Sequence, residues 1–457
     1  MDELRIALPH EVEYILEKLQ EHDFEGFIVG GCVRDAILHR NPFDWDITTN
    51  AFPEDIKKIF KDTIDTGIQH GTITIVINQQ GFEVTTYRTD GIYKDKRRPE
   101  EVKFIGSIIE DLKRRDFTIN AMAYNHEKGL VDPFEGVLDI HRKVIRCVGN
   151  PRERFNEDGL RILRAIRFAS QLNFKIDNES KEAILELGDN LKYVAMERIR
   201  DEISKIVISD HPCCFKLIYE LGFMDKIIPE YEDAFHTEQN IKYHQYNVAL
   251  HSLKAMTCIE NQLDLRLTML LHDIGKPYTK TVDESGIDHF YGHTKVSAEI
   301  AKSILTRMKY NHEIISTITC LIKYHNAKIG ETSKSIKRYL NKIGPDNFFK
   351  LLKVKRADNL SKNPKYFENS FERLEKMEMM AREILKSKEC FEIKDLAING
   401  YDLMELGIKQ GKEIGLLLKE ILDFVIEEPE MNHKDYLLQF ALDRMKTMHG
   451  QLPEERT

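Results

Sequence analysis

Long hydrophobic runs are absent from the sequence. No stretch of 18 consecutive apolar residues occurs in the 457 residues, whereas about 20 are needed to cross a bilayer. The N-terminal stretch MDELRIALPHEVEYILEKLQ is amphipathic and acidic, without an apolar core of signal-peptide length. We therefore expect a protein with no membrane partner that works in the cytoplasm.

Cysteine is scarce and has no paired spacing. The chain has seven cysteines with no CxxC motif, and only Cys213 and Cys214 are adjacent. This usage disfavours a disulfide framework or a cysteine zinc site, and it fits a reducing compartment.

An excess of basic residues is also missing. Lys and Arg number 67 against 76 Asp and Glu, and the net charge is -9. A uniformly basic surface for nucleic acid is thereby excluded, so any such partner must meet local clusters such as KRR at 113 to 115.

Helical periodicity dominates the chain from about residue 153 onward, whereas the earlier part alternates short strands and helices. This pattern predicts an α+β fold class, with a small mixed α/β head followed by an all-helical neck, body and tail. The predicted boundaries are 1–150, 151–210, 211–375 and 376–457.

The stretch FDWDITT carries two acidic residues that are separated by one tryptophan. On a strand, alternate side chains share a face, so Asp44 and Asp46 would project together. Two neighbouring carboxylates repel each other unless a cation lies between them, and Mg²⁺ takes oxygen ligands and completes its shell with substrate phosphates. A surface strand that merely carries two acids is the alternative.

A glycine pair precedes this stretch in the sequence IVGGCVRD. Gly30 and Gly31 would let an anion approach the backbone closely. The helix that follows presents free N–H groups, with Arg34 one turn inside it. An ordinary strand-to-helix turn is the alternative, but a phosphate site beside a metal site is typical of nucleotidyl transfer.

The stretch NEDGLRILRAIRFA predicts one helix with Asn156 as its cap. At about 100° per residue, its arginines share one face and its apolar residues the other. Cytosine and adenine both present an amino donor beside a ring-nitrogen acceptor, so Asp158 could accept from the first and Arg161 donate to the second. A solvated charged face is the alternative.

Several motifs together resemble a known family. GGCVRD followed by DWDI resembles the head signature of the DNA polymerase beta nucleotidyltransferase superfamily. The later motifs are similar, in order and spacing, to the bacterial class II tRNA nucleotidyltransferases, the CCA-adding enzymes: TGIQHGTITIV, FEVTTYRTDGIYKDKRRPEEVKF, DLKRRDFTINAMAY, NEDGLRILRAIRF and ERIRDEI. The resemblance is dense over residues 24 to 205 and looser beyond.

The resemblance implies catalytic and phosphate-binding roles in the head. Asp44 and Asp46 would hold the catalytic Mg²⁺. Gly31 and Arg34 would contact the triphosphate, and Arg115 would meet phosphate. The predicted substrates are CTP, ATP and the 3′ end of tRNA, with pyrophosphate as the released product.

Further residues receive supporting roles from the same resemblance. Asp116 and Asn120 would help to fix the ribose and the local turn. Arg164 and Arg167 would bind phosphates or brace the neighbouring residues. Glu83, on the hairpin strand beside the two acids, would be a third acid.

Two motifs would control which nucleotide is added. Asp158 and Arg161 match the EDxxR motif that serves the family as an amino-acid template for CTP and ATP. Asp90, Asp95 and Arg97 lie in RTDGIYKDKRRPEEV, which resembles the flexible loop that the family needs for adding A. This loop argues against an enzyme that adds only CC.

Histidine and aspartate cluster in the body, at about 246–360. Adjacent His and Asp on an apolar helix are costly to bury unless they share a metal. The order resembles an HD phosphohydrolase, with a second divalent metal held by His251, His272, Asp273 and Asp358. His293 and His325 would serve another metal or the phosphate. Packing and tRNA support without catalysis is the alternative for this domain.

Other functions remain open at this point. The tail, 376–457, resembles the segment that holds tRNA in the family, with Gly407, Gly411 and Gly415 allowing close helix packing or approach to a phosphate backbone. An A-adding enzyme and a poly(A) polymerase share the same head motifs. A metal-dependent phosphohydrolase with a spent head and a non-enzymatic RNA-binding protein are the rivals from other classes.

Overall fold

The computed structural model describes residues 5–90, 102–240, 245–362, 368–408 and 411–449. The chain divides into two compact units. The first comprises Met1–Asp233 with Ile304–Tyr310, and the second comprises Ala234–Ser303 with Asn311–Thr457. The α+β class predicted from the sequence is confirmed, whereas the four-part division remains a prediction.

The first unit holds the main sheet. Its strands are β1 (Gly26–Val29), β2 (Ile47–Thr49), β3 (Thr63–Gly67), β4 (Thr72–Ile77), β5 (Gln80–Thr86), β6 (Arg88–Asp90), β7 (Val102–Phe104), β8 (Ala123–Asn125), β9 (Gly129–Val131), β10 (Val144–Ile145) and β11 (Lys175–Ile176). Among the described residues, seven of them form one sheet in the order β3-β4-β5-β2-β1-β8-β9. In this sheet β2 pairs with β5 in parallel and with β1 antiparallel.

In the first part of this unit, helices alternate with strands along the sequence. From residue 151 onward, helices predominate. They are α1 (His10–Glu21), α2 (Gly31–Ile37), α3 (Pro53–Ile59), α4 (Ile108–Lys113), α5 (Gly136–Arg142), α6 (Pro151–Glu157), α7 (Leu160–Leu172), α8 (Asn178–Leu187), α9 (Met196–Val207), α10 (Lys216–Glu220), α11 (Met224–Ile227) and α12 (Glu232–His236), the last crossing the unit boundary. A core of Phe27, Val29, Tyr87 and Leu112 packs together with small residues of β8. This core fixes the strand ends that carry the predicted site.

The second unit is built mainly from helices. They are α13 (Val248–Thr257), α14 (Leu263–Leu271), α15 (His293–Arg307), α16 (His312–Tyr324), α17 (Ser333–Ile343), α18 (Pro345–Leu360), α19 (Glu368–Lys386), α20 (Gly400–Glu405), α21 (Lys412–Glu427) and α22 (Lys434–His449). The end of α15 belongs to the first unit. Strands β12 (Lys280–Val282) and β13 (Asp288–Phe290) form an antiparallel hairpin. In the described parts of the chain, no helix is both long and apolar enough to span a membrane.

The placement of the two acids differs from the sequence prediction. Strand β2 begins at Ile47, so Asp44 and Asp46 lie in the connection before it rather than on the strand. The backbone carbonyl of Asp46 accepts a hydrogen bond from the N–H of Val29 at 2.9 Å. This bond anchors the acidic segment to the end of β1. Because the segment is not part of a strand, the directions of the two side chains do not follow from strand geometry.

The single helix predicted across NEDGLRILRAIRFA is wrong. Two helices occur here, α6 and α7, and Asn156 lies inside the first instead of capping the second. The backbone of Asp158 is extended, and its carboxylate accepts from the N–H of Leu160 at 3.0 Å. A Cβ on Gly159 would lie 2.8 Å from the carbonyl oxygen of Asn190. The break therefore depends on a close backbone approach that only glycine allows.

The predicted flexible loop is largely outside the described residues. Asp95 and Arg97 belong to the part that the structure does not describe. The backbones of Asp90 and Val102 are paired where β6 meets β7, so the two ends of the loop are brought together.

Candidate functional site

One cavity of about 590 Å³ in the first unit gathers the residues that the sequence singled out. It is lined by Gly31, Arg34, Asp44, Asp46, Arg115, Asp116, Asn120, Asp158, Arg161, Arg164 and Arg167. Acidic residues and arginines thus share a space large enough for a nucleotide, since small-molecule sites span about 300–1,000 Å³.

Carboxylates crowd together at the strand end of the cavity. Partial withdrawal from water raises the pKa of Asp46, and the charge of Asp44 adds to this effect while Arg115 opposes it. The pKa of Glu83 is also raised, first by loss of solvent and then by Asp46 and Asp44. Such mutual repulsion is relieved by a divalent cation, so the donor set fits Mg²⁺. Glu83 does not line the cavity, and its role as a third acid remains a prediction.

The glycine turn lies directly against an arginine. Gly30 has a φ of 82°, and a Cβ there would come within 2.9 Å of Nη1 of Arg115. Any other residue would be strained and would displace the guanidinium. Arg115 is also held 3.5 Å from the buried carboxylate of Asp111. The backbone turn and the cation are therefore fixed together at the cavity wall.

A hydrogen-bonded chain connects α2 to α7 across the cavity. Nη1 of Arg34 donates to Oδ1 of Asn120 at 2.6 Å, and Nδ2 of Asn120 donates to Oδ1 of Asp116 at 3.3 Å. Nε of Arg164 donates to the other oxygen of Asp116 at 2.7 Å. Burial would raise the pKa of Asp116, but Arg164 and Arg161 hold it at about 2. These hydrogen bonds keep the guanidinium groups of Arg34 and Arg164 oriented before any nucleotide binds.

The proposed base-reading residues are each held by a further partner. Arg198 of α9 donates to both carboxylate oxygens of Asp158, at 2.7 and 3.3 Å. Arg161 is hydrogen-bonded to the carboxylate of Glu157 and donates to the backbone carbonyl of Arg154 at 3.1 Å. The acceptor Asp158 and the donor Arg161 therefore line the cavity with side chains whose rotation is restricted.

The arginine face of α7 is organised by a phenylalanine. The ring of Phe168 has the guanidinium carbons of Arg167, Arg34 and Arg164 at 4.2, 5.3 and 5.6 Å from its centroid. Burial, followed by the charge of Arg164, lowers the pKa of Arg167 to about 10, although Glu202 opposes this. The apolar face predicted for this helix is buried as expected: Ile162, Leu163, Ile166 and Ala169.

Sequence reasoning missed two contributors to the cavity. Arg198 lies in ERIRDEI, which the family resemblance singled out as a motif without pointing to this residue. Phe168 follows the arginine series but resembles an ordinary core residue. The contact of Arg198 could have been suspected, because an acid in one motif and a basic residue in another can form an ion pair. No sequence feature distinguished Phe168 from a core residue.

A second cluster lies in the second unit and contains the ligands that were predicted for the HD site. It comprises two sets of three residues, and within each set the ligand atoms lie within 4.8 Å of one another; Asp273 belongs to both sets. The first set adds His251 and His272, and the second adds His293 and His325. Oδ1 of Asp358 is 3.1 Å from Nε2 of His251, so it adjoins the first set.

Three of the four histidines in the cluster are oriented in a common way. The Nδ1–H groups of His272, His293 and His325 donate to the backbone carbonyls of Met269, Phe290 and Ile322 at 2.8, 2.7 and 2.7 Å. This fixes each tautomer and leaves Nε2 directed into the cluster, the usual arrangement for metal-binding histidines. Among the described residues, Nε2 of His272 and Oδ1 of Asp273 are buried without a hydrogen-bond partner. Such orphaned atoms fit a metal site.

The charge states of most groups in the cluster also suit a metal. Burial lowers the pKa of His251 and His325, and it lowers that of His293 to about 4. Burial would raise the pKa of Asp273 and Asp358, but neighbouring imidazoles and lysines hold both well below the usual range. His272 differs, because burial would lower its pKa but Asp273 and Asp358 raise it to about 9. Neutral imidazoles and ionised carboxylates are the ligand forms that divalent cations require, so a cation that binds here would have to displace the extra proton of His272.

Three family models match the chain. Residues 26–146 match the poly A polymerase head domain, residues 173–235 match the probable RNA and SrmB-binding site of polymerase A, and residues 281–441 match the tRNA nucleotidyltransferase domain 2. With the sheet and the cavity described above, these matches define the class of the protein as a nucleotidyltransferase.

Relatives extend this result over the whole chain. The CCA-adding enzymes of Enterococcus faecalis and Ligilactobacillus salivarius are 32% and 33% identical to it over 433 and 441 residues, which is 94% and 96% of this chain and 95% and 96% of those enzymes. The CCA-adding enzyme of Limosilactobacillus reuteri is 48% identical over 198 residues, which spans 43% of this chain and 49% of that enzyme. The chain belongs to the CCA-adding enzymes and is therefore a tRNA nucleotidyltransferase.

Solved structures agree with this assignment. The Bacillus stearothermophilus CCA-adding enzyme, solved in complex with CTP, has a TM-score of 0.74 and 25% identity, over 98% of this chain and all of that chain. The Thermotoga maritima CCA-adding enzyme, solved with tRNA, has a TM-score of 0.55 at 19% identity, over 97% of this chain and 100% of that chain, and shows a common fold.

Proposed function

We propose that the cavity of the first unit completes the 3′ end of tRNA by adding C, C and A from CTP and ATP. The observation that carries this proposal is the presence of Asp158 and Arg161 in the same cavity as Asp44 and Asp46. The residues predicted to read the base and those predicted to bind the metal line one cavity, which supports the proposal. The solved relatives bound to CTP and to tRNA support the choice of substrates.

Asp44 and Asp46 are the residues that would hold the catalytic metal. Mg²⁺ bound there would polarise the tRNA 3′-hydroxyl and the α-phosphate and would neutralise the leaving pyrophosphate. The protein itself positions the triphosphate through Arg34 and Arg115. No covalent intermediate with the chain is required, because the tRNA hydroxyl oxygen bonds to the α-phosphorus as the bond to pyrophosphate breaks.

Base selection follows from the fixed acceptor and donor. A free lone pair of Asp158 accepts from the amino group of C or A, and Arg161 donates to the ring nitrogen. Uracil and guanine present a carbonyl and an N–H at these positions, which would leave both protein groups unmatched. An unmatched buried polar group costs about 1–3 kcal/mol, so the two together discriminate strongly.

Titration calorimetry tests this base selection without tRNA. With Mg²⁺ present, CTP and ATP should bind at least about tenfold more tightly than UTP and GTP. Arg161→Ala should bring the four affinities together, whereas Arg152→Ala, in the preceding helix and paired with Glu186 instead, should leave the preference in place. Equal binding of all four nucleotides by the unaltered enzyme would contradict the proposed base reader.

Two alternative enzymes share the head motifs and differ from a CCA-adding enzyme in the nucleotides that they add to RNA. An A-adding enzyme and a poly(A) polymerase would use the same acids and phosphate contacts. The presence of both Asp158 and Arg161 at the cavity favours recognition of C as well as A. Retention of the acids, Arg115 and this pair disfavours a phosphohydrolase with a spent head and a non-enzymatic RNA-binding protein.

A second candidate function is metal-dependent phosphohydrolysis in the second unit, favoured by the buried His and Asp cluster. Its substrate would be a 2′,3′-cyclic or terminal phosphate at an RNA end. A divalent metal held by His251, His272, Asp273 and Asp358 would supply an activated water. For a cyclic phosphate, the water oxygen bonds to phosphorus, one ring P–O bond breaks, and the released ribose oxygen takes a proton.

A further inference from the structure

The β12–β13 hairpin carries an ordered group of polar and aromatic side chains. Nε2 of His289 is 2.8 Å from the carboxylate of Asp283, and Nδ1 is 3.3 Å from the hydroxyl of Tyr291. The His289 and Tyr291 rings are stacked, with centroids 5.3 Å apart and planes inclined by 6°. This arrangement restricts the rings, although Tyr291 is 77% exposed.

These aromatic residues share a cavity with the metal cluster. The cavity, of about 840 Å³, is lined by His289, Phe290 and Tyr291 on the hairpin side. Its other lining includes ligands of the cluster, Asp273, His293, His325 and Asp358. The volume greatly exceeds that of a phosphate group, so the cavity has room for more than the reacting atoms.

Two lysines lie beside carboxylates of the cluster, and Lys276 also lies over the ring of Phe290. Nζ of Lys276 lies 2.7 Å from Asp273 and 5.3 Å from the centroid of the Phe290 ring. Nζ of Lys362 lies 2.6 Å from Asp358. Both lysines line the same cavity. A phosphate at the cluster would therefore meet positive charge, and whatever the phosphate is attached to would extend toward the hairpin.

We propose that Tyr291, supported by His289 and Asp283, is a stacking platform for the base of a nucleotide whose phosphate lies at the metal cluster. The inference rests on the proposed phosphohydrolase function. An aromatic face next to a cationic phosphate site is the combination that binds nucleotides without base preference, because every base offers a π face. The hydrogen-bond contact of Asp283 with His289 holds the platform in place without using a group of the cluster.

The platform accepts a free nucleotide and the last nucleotide of an RNA by the same chemistry. Three substrates separate these sources from simple phosphate binding: guanosine 2′,3′-cyclic phosphate, an RNA oligomer with a 2′,3′-cyclic end, and glycerol 1,2-cyclic phosphate. Guanosine is used because the reader in the first unit should reject it. A lower KM for the oligomer assigns the platform to RNA ends, and equal values assign it to free nucleotides.

Tyr291→Ala and His289→Ala test the platform, with Tyr14→Ala as the control because Tyr14 is also an exposed tyrosine and lies on α1, outside both cavities and the tail. Both hairpin variants should raise KM about tenfold for the two guanosine-containing or RNA substrates. They should leave hydrolysis of glycerol 1,2-cyclic phosphate unchanged, and Tyr14→Ala should change nothing. Unchanged KM values for the cyclic nucleotide and the oligomer would overturn the platform.

The experiments distinguish a failure of the proposed phosphohydrolase function from a failure of the proposed stacking platform. If the unaltered chain hydrolyses none of the three substrates, that function is wrong, and calorimetric titration with guanosine 2′,3′-cyclic phosphate then decides the platform. Binding that weakens about tenfold in Tyr291→Ala supports it. Equal binding by the two proteins, or no binding by either, overturns it.

Discussion

Arg198 donates two hydrogen bonds to the carboxylate of Asp158, although 40 residues separate them. Asp158 lies in the break between α6 and α7, where its own helix cannot orient it. The contact from α9 therefore sets the direction of the acceptor that would read the nucleotide base. Arg198 acts on the base through Asp158 and is a positioning residue.

Arg198→Ala should reduce selectivity more than affinity. Without the two hydrogen bonds, the N–H of Leu160 still contacts one carboxylate oxygen of Asp158, but the other oxygen loses its partner. The ratio of C and A addition to U and G addition should therefore fall about tenfold. The apparent affinity for the triphosphate should change little. The measurement is single-nucleotide addition with each of the four nucleotides. Arg200→Ala, in the same helix but paired with Asp201, is the control, and an unchanged ratio in Arg198→Ala would refute the positioning role.

Asp46→Asn should separate activity from stability. Loss of a metal ligand should lower the rate of nucleotide addition about a thousandfold or more. Because loss of solvent and repulsion from Asp44 raise the pKa of Asp46, the neutral side chain should leave the melting temperature equal or higher. Asp55→Asn on α3 should retain full activity. An inactive variant that also melts much earlier would indicate a structural role.

Asp116 should make the first unit sensitive to acid. Its pKa is about 2 in the folded chain, below the ordinary value of 3.8. The charged form therefore stabilises the fold above pH 4, and this contribution declines as the pH falls toward 2. The difference in unfolding free energy between the unaltered enzyme and Asp116→Asn should shrink by about 1 kcal/mol from pH 5 to pH 3. Urea unfolding measures it, and a constant difference would contradict the ion pair with Arg164.

Asp273→Asn should disable the second unit alone. Asp273 is shared by both sets of metal ligands, so bound divalent metal, measured by mass spectrometry, and phosphate-ester hydrolysis should both be lost. Addition to tRNA should remain within about twofold. His293→Gln is a second variant that removes a ligand without removing buried charge, and Asp264→Asn, outside the cluster, is the control. Metal content that is unchanged in both variants would show that the cluster serves packing only.

The structure brings most of the predicted site residues together in two clusters, whereas part of their local structure differs from the prediction. Asp44, Asp46 and Arg115 could be found because short motifs hold them at fixed spacing. The break at Asp158 and Gly159 could not, since it depends on the backbone of Asn190 approaching from another segment. For the same reason the contact with Arg198 was not predicted, because pairing across 40 residues is a property of the packed helices.

The histidine cluster shows a similar division. The HD pair and the flanking histidines indicated its ligand types, but the orientation of three of the four rings depends on a backbone carbonyl three residues earlier, such as that of Met269 for His272. Part of the predicted loop, including Asp95 and Arg97, lies outside the described residues, so its proposed role in adding A remains a prediction.

Extension of three tRNA transcripts, ending before CCA, after C and after CC, tests the central claim most directly. Each is incubated with CTP alone, ATP alone and both, and the products are resolved on a sequencing gel. The account predicts that the first transcript gains CCA with both nucleotides and then stops, and gains only CC with CTP alone. Extension confined to a single A on the transcript ending in CC, or long A tails, would contradict it.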